Sequence, residues 1–131
     1  MVWNSRFQYL KEKNILVDAA HNADAVKILK SNLDVYFANQ KRAFLFGVLD
    51  TKDYQAIITE LFNEGDEIFI TDGFAYNSVN KEVLKEEVLK HFLDIKIRVI
   101  SIDELNEFID YSFDGIKICC GSFYICSYLF D

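Results

Sequence analysis

The sequence predicts an α/β fold: a Rossmann-like three-layer sandwich around a mainly parallel sheet of about six strands. Short β-branched and aromatic runs alternate with stretches of helical periodicity along all 131 residues, the order that strand–helix–strand units produce. Each run is about the length of a buried strand. The connections are only a few residues long, which favours right-handed crossovers between parallel strands.

Arg6 to Leu10 alternates polar with apolar residues and runs into Lys11-Glu12-Lys13-Asn14. It reads as an extra strand turning back into Ile15-Leu16-Val17, the first buried strand. Val26, Leu29, Leu33 and Tyr36 then recur at helical spacing. Asn22 suits the N-cap of that helix, and Asp24 favours its positive end. Ala43 to Phe46 is the second buried strand. Tyr54, Ile57, Ile58, Leu61 and Phe62 mark a second helix, with Asp53 or Thr51 to cap it. Ile68-Phe69-Ile70 is the next strand, and Leu84, Val88 and Phe92 mark the third helix. The stretch from Ile95 to Ile100 reads as a strand. Ile102, Leu105, Phe108 and Ile109 mark a fourth helix, and Ile116 to Cys120 the last strand. Phe123 to Phe130 reads as a fifth helix closing the sheet. Without any proline, the turns fall to Gly, Asn, Asp and Ser.

Composition narrows the function classes. At 51% hydrophobic and 27% charged residues, the chain can bury a core and is not intrinsically disordered. No apolar run approaches the roughly 20 residues of a membrane helix, and the first residues lack the pattern of a secretory signal. A net charge of −7 argues against nucleic acid or anionic lipid as partner. Cys119, Cys120 and Cys126 are odd in number and clustered, which suits core packing in a reducing cytoplasm better than a disulfide framework. No Cys/His spacing suggests zinc. Neither GxGxxG nor GxxxxGK[ST] is present, so the chain lacks both self-sufficient phosphate cradles. The acidic pair of a receiver domain is missing too.

In a parallel sheet, ligands collect beyond the carboxyl ends of the strands. That directs attention to Asp18–Asp24, Gly47–Asp53, Thr71–Lys81 and Gly121–Tyr124. Asp18 and His21 stand together at a helix N-terminus, where free N–H groups attract anions. Alternatively, both only satisfy backbone donors in a tight turn. Asp50-Thr51-Lys52-Asp53 needs no role beyond helix entry. Gly121-Ser122 brings a small residue and a hydroxyl to the same edge. His91, near a helix C-terminus, suits the dipole and is assigned no chemistry. From the residues alone, the reading stops at an acidic α/β domain with a polar sheet edge.

Arg6-Phe7-Gln8, Asp18-Ala19-Ala20-His21-Asn22, Phe46-Gly47-Val48-Leu49 with Lys52-Asp53, and Cys120-Gly121-Ser122-Phe123 occur in that order. Together they resemble the C-terminal domain of the folylpolyglutamate synthase/dihydrofolate synthase family, in the Mur ligase superfamily, over essentially the whole of 1–131. The resemblance implies a domain excised from a larger chain, with its own N-terminal ATPase domain as partner. It implies ATP-dependent amide formation, in which a carboxylate of folate or dihydropteroate becomes an acyl phosphate that the amine of L-glutamate attacks. Mg²⁺ and most of the folate would be held by the absent domain, so no metal site is expected here. Arg6 is implied as the catalytic clamp on the nucleotide. Asp18 is implied as a nucleotide contact through ribose hydroxyls, His21 as a catalytic and nucleotide-site residue, and Ser122 as the edge of the glutamate pocket. The chain departs from the family at Ser5, Ala23 and Thr51. Its Thr71–Lys81 loop lacks the usual proline and arginine, leaving Lys81 as its basic residue. The expectations are a cytoplasmic monomer, inactive as an isolated domain, with the site edge exposed and the Thr71–Lys81 loop poorly ordered. The alternatives are a stand-alone α/β ligand-binding or interaction module, and a Mur-type peptide ligase domain with another substrate. The Cys-Gly-Ser-Phe ending favours the folate branch.

Overall fold

A computed structural model describes residues 6–130. Strand β1 (Gln8–Leu10) pairs antiparallel with β2 (Ile15–Val17), Gln8 lying opposite Val17. Asn14, at φ 55°, makes the left-handed turn between them, a conformation asparagine tolerates better than most residues. Its side chain donates to the Gly115 carbonyl at 2.8 Å and accepts from the Tyr9 hydroxyl at 2.8 Å.

The chain continues through α1 (Ala23–Tyr36), β3 (Arg42–Phe46), α2 (Tyr54–Leu61), β4 (Glu67–Ile70) and α3 (Lys81–His91). It ends with β5 (Lys96–Val99), α4 (Asn106–Ile109), β6 (Ile116–Cys120) and α5 (Phe123–Ser127). The six strands form one sheet in the order β1-β2-β6-β3-β4-β5, parallel except for β1. Phe46 pairs with both Cys120 and Ile70, so the strands finish level.

Alternate strand residues supply two cores. On one face Leu16, Phe44, Phe46, Ile68 and Ile118 pack against α1, α2 and α3 through Val26, Leu29, Ile57, Ile58, Leu84 and Val88. Phe44 and Phe46 both meet Phe62 edge-on, at 5.0 and 5.3 Å between ring centres. On the other face Ile15, Val17, Leu45, Phe69 and Cys119 pack against Leu105, Phe108, Ile125, Cys126 and Leu129. One polar residue joins this second layer. Lys117, 3% exposed, donates its ammonium to the carbonyls of Phe108, Ile109 and Tyr111 and so closes the end of α4.

Several elements differ from the periodicity reading. Tyr36 ends α1 exposed, with its ring against Phe7 instead of in the core. The expected fourth helix is broken. A 3₁₀ turn at Ile102–Glu104, held by a Ser101–Glu104 capping box, precedes the short α4. The tail likewise divides into α5 and a 3₁₀ turn at Tyr128–Phe130. Asp53, not Thr51, caps α2 by accepting the Ala56 amide at 3.1 Å. The cysteines are buried and free, and burial pushes the Cys120 and Cys126 thiols well up, away from the reactive thiolate. Among the described residues, no helix is long and apolar enough to cross a membrane.

Candidate active site at the strand ends

Because β2, β3, β4 and β6 run parallel, the residues after them, Asp18, Gly47, Thr71 and Gly121, emerge on one edge. The antiparallel β1 begins at that edge, which carries Arg6 and Phe7 to Asp18. The backbones crowd there. Gly121 stands at φ 108°, and a Cβ on it would strike the Gly47 carbonyl. Its N–H donates to the Ala20 carbonyl at 3.0 Å. Only glycine fits such a conformation and approach together.

Asp18 is 7% exposed. Its Oδ2 accepts the Phe7 amide at 3.1 Å and its Oδ1 the Ala20 amide at 2.9 Å. Burial pushes the carboxyl pKa up, while these two bonds and the nearby Arg6 charge draw it back. His21 follows on the exposed side of the turn. Its Nδ1 lies 2.9 Å from the Ala19 carbonyl. A carbonyl only accepts, so Nδ1 carries the proton in this contact and Nε2 is the other ring position. Asn22 caps α1 through the Ala25 amide at 2.8 Å.

A cavity of about 270 Å³ is lined by Arg6, Asp18 and His21 together with Ala25, Ile28 and Asn32 of α1. A second, of about 170 Å³, lies on the other side of His21, between Leu49, Lys52 and the Gly121–Tyr124 turn. The fold therefore brings Arg6, Asp18 and His21 to one cavity, and Ser122 to a neighbouring one that shares His21. Ser122 is only 3% exposed, and its hydroxyl caps α5 by accepting the Tyr124 amide at 3.1 Å. Lys52, read from sequence as part of a helix entry, stands at the second cavity. The signal available for it was the Lys-Asp pair following Gly47-Val48-Leu49.

The Thr71–Lys81 loop is not the poorly ordered segment expected. It folds back on the Gly47–Asp53 segment, where the Asp50 amide donates to Asn77 and the Val79 amide to Val48, both at 2.8 Å. Phe74 is buried over Gly47. Lys81 is held at 3.3 Å by Asp72 within the same loop. Among the described residues, no three or more His, Cys, Asp or Glu side chains gather to hold a metal ion.

The Mur ligase, glutamate ligase domain family matches residues 5–117. The chain belongs to that family. No curated protein matches it by sequence. Among solved structures, folylpolyglutamate synthase of Thermotoga maritima is 23% identical, with a TM-score of 0.77 over 95% of this chain and 29% of that one. E. coli FolC in complex with DHPP and ADP is 19% identical, with a TM-score of 0.80 over 98% and 31%. The bifunctional folylpolyglutamate synthase/dihydrofolate synthase of Yersinia pestis, complexed with AMPPNP and Mn, is 19% identical, with a TM-score of 0.74 over 98% and 30%. This Mur ligase domain thus spans about three tenths of the length of its solved neighbours.

Proposed function

We propose that this Mur ligase domain serves an ATP-dependent enzyme that joins L-glutamate to folate or dihydropteroate in the cytoplasm, with an N-terminal ATPase domain as its partner. One observation carries the reading. Arg6, just before the antiparallel strand β1, and Asp18 and His21, in the turn after β2, border a single cavity at the sheet's ligand edge.

The first step moves the γ-phosphoryl group of ATP to a carboxylate oxygen, releasing ADP. The amine of glutamate then attacks the acyl carbon, loses a proton and expels phosphate as the amide forms. Charge spread over a transferred phosphoryl group calls for a preorganised cation, and Arg6 is the guanidinium at this cavity. Mg²⁺, which would offset charge on the transferred phosphoryl group, would be held by the ATPase domain. The Ala19 carbonyl holds the His21 ring in place between the two cavities. The second cavity offers the Lys52 ammonium and the Ser122 turn beside the Phe123 and Tyr124 rings. That mixture suits a small amino acid carrying carboxylates. The neighbours solved with ADP, DHPP, AMPPNP and Mn support nucleotide, folate-type substrate and metal for the complete enzyme.

In the enzyme containing this domain, Arg6→Ala is expected to lower kcat by about a hundredfold, because a charge-stabilising donor is lost. Its melting temperature should fall by no more than about 2 °C, as for an exposed side chain. Steady-state kinetics and a thermal melt check both. A large loss of melting temperature with normal activity per folded molecule would return Arg6 to a purely structural part.

A further inference from the structure

We infer that Cys119 and Cys126 are a redox modification site, which hydrogen peroxide converts into a disulfide that clasps the Gly121–Tyr124 turn. The pairing stands on the fold alone, and its effect on activity rests on the reading of the second cavity given above.

The two sulfurs lie 3.5 Å apart, the Cys119 thiol donating to Cys126, and both residues are 0% exposed. The Cys126 thiol also reaches the Cys119 and Asp18 carbonyls, at 3.4 and 3.7 Å. Alternation along β6 turns Cys120 into the opposite core, so the strand itself selects which cysteine faces Cys126.

Burial guards the pair unequally. Cys119 belongs to β6, which is paired on both sides, with β2 and with β3. Cys126 rides on α5, a helix of five residues that its own bonds hold poorly. While α5 is seated, burial keeps the Cys126 thiol protonated and inert. When α5 lifts, the sulfur meets water, and its thiolate can attack a peroxide oxygen. The O–O bond breaks, an S–O bond forms, and Cys126 becomes a sulfenic acid as water leaves. Reseating of the helix brings that sulfur back onto the Cys119 thiol. The S–S bond forms, and the hydroxyl departs with the Cys119 proton as a second water. The two thiols thus give up two electrons and two protons, and the peroxide is reduced to water.

Bonding draws the sulfurs to about 2 Å and pulls α5 towards β6. The turn bracketed by the two cysteines walls the second cavity together with Leu49 and Lys52. The Ser122 carbonyl accepts the Cys126 amide at 3.2 Å, so a shift of Cys126 passes directly into that turn. A displacement of about 1 Å at a substrate-positioning group costs much of a rate.

The test uses the enzyme containing this domain. It is exposed to hydrogen peroxide, denatured and alkylated, and the fragment carrying 119–126 is sequenced by mass spectrometry. Cys119 and Cys126 should escape alkylation together while Cys120 is labelled, and dithiothreitol should restore all three thiols. Oxidation should run at least about tenfold slower than that of free cysteine, because it waits on the opening of α5. In Cys119→Ala, Cys126 should accumulate as a sulfenic acid that dimedone traps. In Cys126→Ala, Cys119 should stay a thiol. Peroxide should lower turnover at least about fivefold more in wild type than in Cys126→Ala, and dithiothreitol should reverse the difference. Full alkylation of Cys119 and Cys126 after prolonged peroxide would overturn the inference without any variant having to fold. So would a disulfide made through Cys120. A Cys119–Cys126 disulfide with undiminished turnover would overturn the reading of the second cavity and leave the redox site standing.

Discussion

Asp66 lies at the edge of the sheet opposite the site, just before β4, and is 7% exposed. Its Oδ2 accepts the Asn63 amide at 2.9 Å. Burial pushes its carboxyl up to about 6, against the pull of that bond and of the Arg42 and Lys30 charges. A folded-state pKa above the unfolded one means that the protonated acid suits the fold better. Its stabilising contribution is complete below the ordinary carboxylate range and is lost as pH rises through about 6. Asp66→Asn keeps an acceptor for Asn63 and cannot ionise, so it should be more stable than wild type at pH 7, by on the order of 1–3 kcal/mol. The gain should vanish near pH 4. Urea melts at the two pH values check this, and a gain independent of pH would show that ionisation is not its source. In the sequence, Asn63-Glu64-Gly65-Asp66 reads only as a turn, because burial of its last residue depends on packing from outside the turn. The place of Asp18 at the sheet's edge was legible from its position after a strand. The engagement of both its oxygens was not, since one partner lies across a hairpin.

Lys117 joins two elements, reaching from β6 to the carbonyls that end α4. A helix of four residues has few internal bonds with which to hold itself. Burial lowers the pKa of the Lys117 ammonium, yet removing it strands three acceptors, which outweighs the relief from taking a charge out of the interior. Lys117→Met should therefore destabilise the domain by about 2 kcal/mol, with the earliest exchange of amides in 106–111. Unchanged denaturant midpoints would mean that water replaces the ammonium. Strands buried on both faces were plain in the sequence because nothing polar interrupts them, apart from Lys117 itself. The break before α4 was obscured because Ile102, Leu105, Phe108 and Ile109 keep helical spacing across it, while the Ser101–Glu104 capping box ends one turn and starts another. Order in the Thr71–Lys81 loop was hidden for a different reason. Its hydrogen-bond partners, Val48 and Asp50, belong to the loop after another strand.

At the scale of the molecule, the two cavities share His21 and open from one edge, with Phe123, Tyr124 and Tyr76 exposed among the turns that form that edge. A nucleotide touching this edge alone would leave most of its phosphate contacts unmade, because the described residues include no phosphate-binding loop. The isolated chain is thus expected to bind ATP with a Kd of about 1 mM or weaker. Amide shifts on titration should concentrate at 6–7 and 18–22. Calorimetry and NMR titration check this, and micromolar binding would show that the domain holds nucleotide unaided. The strand order has a further consequence, for synthesis. β6 comes last in the chain but lies between β2 and β3, which do not pair with each other. A nascent chain that has emerged only as far as β5 therefore has two partial sheets, each with an open apolar edge and no shared partner. Such edges invite pairing with other chains. The six-stranded sheet can close only once 116–120, which supply its central strand, have left the ribosome.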